Sequence, residues 1–353
     1  MTKIVNLSAG NLKKLSSVGY REGLIIENNN LLCNLAKYDG VELMSINQAL
    51  AKFKIREYFW KLIDKNKDEY TKEVAKGDFE GYFIRSEKEK KVEGLIQTCL
   101  FISKNKTSQK VHNLIVAEEN SEMNIITGCL TGDEAKEAQH IGITEIYVKK
   151  GARLTFTMVH SWGDRVMVRP RTAVVVEEGG SFVSNYICVK PVGDIQMYPN
   201  CHLKGNNSHA DFNSFVYAKN GSKFDVGSKI IFDGENSSGQ IISKIVCDES
   251  EVINRGQMIG NASGVKAHLD CGGLILSKKG IIRAIPELEA NLADLNMTHE
   301  ASIGKVSEDA VEYLMSRGMS EKQAISMIVK GFLSVSKFSL PESVEKEIEK
   351  FEF

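Results

Sequence analysis

From Gly81 to about Lys305 the chain repeats one short unit. An apolar run rich in Val, Ile and Phe is followed by two or three polar residues, a Ser or Ala, one further residue, and apolar residues again. Ser121, Ala152, Ser181, Ser222 and Ser250 hold the equivalent position, with gaps of 31, 29, 41 and 28 residues. A strand-turn-strand unit without helical inserts predicts a mainly β architecture, either a β-solenoid stacking one coil per repeat or a β-sandwich. The 41-residue gap leaves both open, and only five prolines are present, compatible with either.

The flanks read differently. Residues 1–80 form a polar, N-terminal helical region. Ile46, Leu50, Phe53, Ile55, Tyr58 and Leu62 recur at near-helical spacing, and Asp64–Asp78, charged and poor in apolar residues, reads as a linker. Residues 81–305 are the β core, and residues 306–353 a C-terminal helical region. Ser307 is placed to cap a helix with Glu308 and Asp309 in its first turn, and Gly318 to end it. Ser320 and Gln323 predict a capping box for a second helix, with Ala324, Met327, Ile328 and Phe332 as its stripe. A third helix is expected after Pro341, with Val344, Ile348 and Phe351 on one face.

Composition narrows the function classes. A net charge of −1 and a pI near 6.7 give no electrostatic case for nucleic acid or an anionic membrane. No stretch has the length and apolarity of a membrane span, and no signal-peptide core follows Met1, so the expectation is a soluble, cytosolic protein. The seven cysteines are odd in number and scattered, with no Cys-x-x-Cys, which argues against a disulfide framework or a structural zinc knuckle. Neither a phosphate-binding GxxxxGK[ST] loop nor a GxGxxG turn occurs, so no nucleotide site of its own is expected.

Chemistry-bearing residues concentrate between His268 and Lys305. Cys271, His299 and Glu300 supply thiolate, imidazole and carboxylate, the ligand types of iron and other borderline metals. His299 and Glu300 are adjacent, so in a regular strand they point to opposite faces. Cys271 and His299 are 28 residues apart, close to one repeat, and a solenoid stacks such positions about 4.8 Å apart. A packed core thiol is the competing reading of Cys271. Cys129, at the edge of a polar loop, is a candidate reactive thiol against the same competing reading, and Trp60 and Trp162 read as core or rim residues.

The C-terminal motifs HLDCGGLIL, AIPELEA, THEASIGK, YLMSRGMSEKQA and IVKGF, in that order, resemble the signature of the SufB/SufD family. REYFWKLIDKNKDEYT, VHNLIVAEE, IITGC, VHSW and YPNCHLKGN are also similar to that family, and the resemblance spans about residues 50–335. It implies a right-handed parallel β-helix flanked by helices, serving as a scaffold for building iron–sulfur clusters rather than as an enzyme. It further implies pairing of subunits through the end of the β-helix. The C-terminal helices would dock a SufC-type ABC ATPase, through Tyr313, Leu314, Arg317, Ile328 and Phe332 here, and that partner would hydrolyse the ATP.

Residue by residue, the resemblance makes Cys129 the persulfide acceptor and Cys271 the sulfur acceptor and cluster ligand. His299 matches the interface histidine of the SufD side and Glu300 the glutamate of the SufB side. One chain carrying both points to a short, SufB-like, archaeal-type homodimer in a B2C2 complex, holding a transient 4Fe-4S or 2Fe-2S cluster. His160 and Trp162 fall where the family lines a sulfur path with Gln-x-Trp, and Arg171 stands near the path's lysine. Two rival readings remain at this level: a SufD-like structural subunit without sulfur chemistry, and a β-helix carbohydrate-active enzyme, for which no convincing acidic pair is seen.

Overall fold

A computed structural model describes Leu15, Val18 and residues 20–34 and 36–333. It shows a parallel β-solenoid of about eight turns with helices toward its termini. Each coil crosses between two facing ten-stranded sheets. The first sheet begins at Asn30–Asn34 and Leu24–Glu27. It continues through Ile96–Ile102, Glu122–Thr131, Arg153–Ser161, Ser181–Cys188, His209–Ala218, Ser238–Cys247 and Lys266–Ile275 to Asn296–Lys305. The second begins at Val41–Ser45 and Tyr82–Ser86. It passes through Thr107–Ala117, Ala138–Val148, Val166–Val176, the split pair Asp194–Met197 and Asn200–Leu203, Lys223–Phe232 and Glu251–Gly260 to Ile281–Ala290. A sandwich pairs its strands antiparallel. Among the described residues only the two N-terminal pairs, Leu24–Glu27 with Asn30–Asn34 and Val41–Ser45 with Tyr82–Ser86, do so.

Coils stack because each turns its corner in the same backbone conformation. Glu89, Asn120, Gly151, Gly179, Asn207, Asn236 and Gly264 form one column, and all have positive φ between 55° and 72°. Asn and Gly enter this left-handed region at least cost, which is why the turns read as Asn and Gly in the sequence. The residue after each forms a second column, Ser121, Ala152, Gly180, Ser208, Ser237, Val265. Each of its carbonyls accepts the first N–H of the strand stacked on it. The serines Ser121, Ser208 and Ser237 also donate to the carbonyl three residues back at 2.6–2.7 Å, closing the corner.

This corrects the repeat read from sequence. Ser121 and Ala152 belong to the corner entering the first sheet, whereas Ser222 and Ser250 stack at the corner entering the second. Ser181 lies one residue beyond its column, being paired with Arg153 rather than Ala152. The 41-residue gap arose from stepping between the two corners of a coil.

Strand alternation divides the side chains. One face of each strand fills the interior with Val, Ile, Leu and Phe in a continuous cluster that also contains Cys129, Cys188, Cys201, Cys247 and Cys271. The outer face of the first sheet is covered by Leu15, Val18, Tyr20 and the C-terminal Val329 and Leu333. The outer face of the second is covered by residues between Met44 and Phe79. Fully burying one such side chain is worth about 1.5–3 kcal/mol.

The N-terminal region is not purely helical as expected. Leu24–Glu27, Asn30–Asn34 and Val41–Ser45 extend the sheets before helices at Ile46–Lys52 and Glu69–Ala75. The Leu24–Glu27 run buries Leu24, Ile25 and Ile26 together, a pattern without helical period. Asp64–Asp78 is not a linker: Asp68 and Thr71 form a capping box that starts the Glu69–Ala75 helix. The residues just before this segment are held by a buried carboxylate. Glu145, projecting outward from the second sheet, accepts the backbone N–H groups of Trp60, Lys61 and Leu62 at 2.6–2.7 Å and pairs with His112 Nε2 at 2.8 Å.

At the C-terminus, helices span Glu308–Ser316 and Glu321–Leu333. The Ser307 cap, the Ser320–Gln323 box and Gly318 at φ 92° are all present. The second helix packs Ala324, Val329 and Leu333 inward, while Met327 faces away from the sheet. The expected helix after Pro341 lies outside the described residues.

At Gly264 (φ +72°) a Cβ would sit 2.3 Å from Asn236 Oδ1 in the turn above. Gly264→Val is therefore expected to lose about 1–3 kcal/mol of stability, read as an earlier midpoint in urea unfolding. Ala262→Val in the same loop is the size control, and an unchanged midpoint for Gly264→Val would refute the left-handed column.

Candidate functional site

Cys271 lies on the Lys266–Ile275 strand, one coil before the last, with its side chain turned into the solenoid and 1% exposed. In register it sits between Ser243 and Ala301. Burial pushes its thiol up to about 11, Asp270 adding to this and Lys244 opposing it. The outer side of the same strand is tied to the C-terminal helix. Lys244 pairs with Asp270 at 2.6 Å, its ammonium is 5.7 Å from the centre of the Phe332 ring, and a Cβ on Gly272 would come within 3.3 Å of Phe332. Gly272 thus lets the helix rest directly on the backbone beside Cys271.

His299 and Glu300 lie on the final strand and are exposed. His299 stacks on Leu269, an interior residue, and Glu300 on Asp270, an outward one, so the two point to opposite faces as alternation requires. Within one chain the three residues do not converge. Among the described residues no group of three or more His, Cys, Asp and Glu is placed to hold a metal ion.

No other described residues cover the outer edge of the coil carrying His299 and Glu300. Ile281, Ile285, Leu288, Leu292 and Ile303, 36–45% exposed, all belong to it. Its two ten-residue strands, Ile281–Ala290 and Asn296–Lys305, close the strand order of the two sheets. An apolar, full-length strand edge of this kind is a template for pairing with another chain.

Cys129 is not at an accessible loop edge. It faces the interior of the second full coil, 1% exposed, with its thiol pushed far above the ordinary range by burial. His160 stacks on it in register. The His160 ring lies 5.6 Å from Trp162, and its Nδ1 is 3.1 Å from Tyr186 Oη. His140 adds a third ring, 4.9 Å from Trp162, and shares a 2.8 Å hydrogen bond with Gln109. Desolvation holds His160 well below its usual range and pushes His140 down to about 3, so both are neutral.

Arg171 is not part of this interior. Its neighbours Val168, Val174 and Val176, at even positions, fill the core. Arg171, at an odd position, points outward to Asp68 at 2.6 Å and Gln196 at 2.8 Å. The helical residues singled out from sequence also differ in burial. Tyr313 is 59% exposed with Arg317 over its ring, whereas Phe332 packs toward the sheet.

Residues 100–332 match the family model described as SUF system FeS cluster assembly, SufBD core domain. The chain belongs to the SufBD family. It is 47% identical to an iron-sulfur cluster assembly SufBD family protein of Archaeoglobus fulgidus over 312 residues, 88% of this chain and 84% of that protein. A SufBD family protein of Methanothermobacter thermautotrophicus is 42% identical over 90% of this chain and 78% of its own length. One of Pyrococcus horikoshii is 29% identical over 91% and 72%. The SufBD family takes part in iron–sulfur cluster assembly. No helix among the described residues is long and apolar enough to cross a membrane.

Gln109, His140 and Cys188 escaped sequence reasoning. Their signal was periodic: Gln109 and His140 are 31 residues apart, and Cys129, His160 and Cys188 follow one another at 31 and 28, one coil each.

The neutral interior histidines set a pH dependence. In the unfolded chain each imidazole titrates near 6.5. In the folded chain His140 and His160 stay neutral, so below pH 6.5 the unfolded state binds more protons and stability falls as pH drops. The expected slope is about 1.4 kcal/mol per pH unit per histidine once pH is well below 6.5. Urea unfolding between pH 7.5 and 5 should show it, and His140→Gln should make the curve shallower. An equal slope in that variant would contradict the assignment.

Proposed function

We propose that this chain is a SufB-like scaffold on which sulfur and iron are joined at the bare end of the solenoid. The observation that carries the reading is the final coil. It leaves an apolar double edge unpaired directly beside the coil of Cys271, and it presents His299 and Glu300 on that edge. Pairing of two copies through these edges would cover Ile285 and Ile303 and supply ligands from both chains. This accounts for a thiol, an imidazole and a carboxylate that do not meet within one chain.

Sulfur is received at Cys129, moves through the interior past His160 and Trp162, and reaches Cys271. Iron is a substrate here, not a resident cofactor. Its arrival favours the thiolate of Cys271, whose burial otherwise keeps it protonated. Mixed sulfur, nitrogen and oxygen ligation suits a product that has to leave.

The two C-terminal helices are the docking region for a SufC-type ATPase, with Tyr313 and Arg317 exposed and Leu314 half-buried. Met327 and Lys330 line an open groove of about 560 Å³ on the outer side of the second helix. A pull on that helix is felt at Gly272, because Phe332 rests there.

Cys271→Ala is expected to abolish cluster loading under anaerobic reconstitution with iron and sulfide while leaving the solenoid folded. Normal iron and sulfide content in that variant would sink the assignment of Cys271, whereas failure of the unsubstituted protein to load would favour a SufD-like subunit without sulfur chemistry. The double variant Ile285→Glu, Ile303→Glu should shift the protein to monomer in sedimentation and lose the cluster with Cys271 intact. A dimer that survives it would place the interface elsewhere.

A further inference from the structure

We propose that Cys188 is a relay thiol between Cys129 and Cys271. This rests on the reading that sulfur enters at Cys129 and leaves at Cys271. Those two thiols lie on strands five steps apart in the first sheet, about 24 Å at the usual spacing. No persulfide side chain spans that distance in one step, and a station inside the solenoid would divide it into legs of about two and three strand spacings.

The interior offers one. Cys129, His160 and Cys188 occupy the same register position on three successive strands, all facing the core. Cys188 is fully buried, its thiol in a weak 3.7 Å contact with the Lys190 carbonyl and beside the Tyr186 hydroxyl. Two residues before it on the same face, Tyr186 bonds to His160 and lines an internal cavity of about 30 Å³ together with Met158, Phe212 and Ser214. From there the register column runs Tyr186, Ser214, Ser243, Cys271. The side chains between Tyr186 and Cys271 in this column are therefore two serines, small and polar, the first of them lining the cavity. A second observation marks the Cys129 end: the Trp162 indole N–H, beside His160, is buried without a hydrogen-bond partner. A donor left free in such a place suits the terminal sulfur of a persulfide.

Cys129 and Cys188 are two strands apart, about 9.6 Å along the column. A persulfide lengthens Cys129 by one S–S bond of about 2 Å, and rotation of both cysteines with displacement of the His160 ring toward Trp162 closes the remainder. The sulfur of Cys188 attacks the terminal sulfur of the Cys129 persulfide, forming a new S–S bond as the old one breaks. The proton leaving Cys188 passes to the departing Cys129 sulfur through the neutral imidazole of His160. The sum is Cys129–S–SH with Cys188–SH giving Cys129–SH with Cys188–S–SH, and no oxidant or reductant is consumed.

The test uses the full-length protein, glutathione persulfide as the probe under anaerobic conditions, timed quenching with an alkylating reagent, and peptide mass spectrometry to locate the added sulfur. In the wild type the label should appear at Cys129, then Cys188, then Cys271. In Cys188→Ser and Cys188→Ala it should reach Cys129 normally and Cys271 at least tenfold more slowly. Wild-type loading of Cys271 in both variants overturns the relay. So does loss of label at Cys129 together with a lowered melting temperature, which assigns Cys188 a packing role. Cys129→Ser separates the two levels: undiminished label at both Cys188 and Cys271 in that variant overturns the route from Cys129, and the relay with it.

Discussion

The left-handed corner at each coil is the constraint on which everything else depends. Asn120, Gly151, Gly179, Asn207, Asn236 and Gly264 place successive coils in one register, and register in a parallel solenoid turns sequence positions into columns. A slip of one residue at any corner would send the Cys271 thiol to the outer face and Asp270 to the interior. The chemistry of the interior is therefore only as well placed as these turns.

The interior excludes charge. Its histidines are held neutral and its thiols protonated by desolvation. Such an environment protects sulfur from solvent and leaves reactivity to whatever arrives, a persulfide or an iron ion. The region around Cys271 differs because its outer side carries the Lys244–Asp270 pair under Phe332. One strand thus touches the protected interior on one face and a docked helix on the other.

Much of this was legible in the sequence. The Ser307 cap, the Ser320–Gln323 box and the Gly318 stop are local features whose partners lie within four residues, and all three formed. The opposite faces of His299 and Glu300 followed from strand alternation alone. Periodicity failed where two corners share one vocabulary, so Ser222 and Ser250 were placed in a column with Ser121. Arg171 was assigned by proximity in sequence, yet its outward direction was readable from the buried valines at even positions around it. The strands between Leu24 and Ser45 were missed because their burial depends on coils that follow much later in the chain. Cys271, His299 and Glu300 do not converge within one chain, since among the described residues nothing stacks on the final coil.

The two ends of the solenoid are unlike. At the N-terminal end the sheets finish in short strands of four and five residues. They pair antiparallel, with an irregular register between Ile25 and Ile26. Such edges make poor templates. At the other end stand two straight edges of ten residues each. Were two copies to join through these edges, as proposed, a rod with a single such tip would stop at two and could not grow into a filament. The asymmetry also lets two long β-edges stay exposed on a monomer without committing the protein to open-ended fibrous assembly.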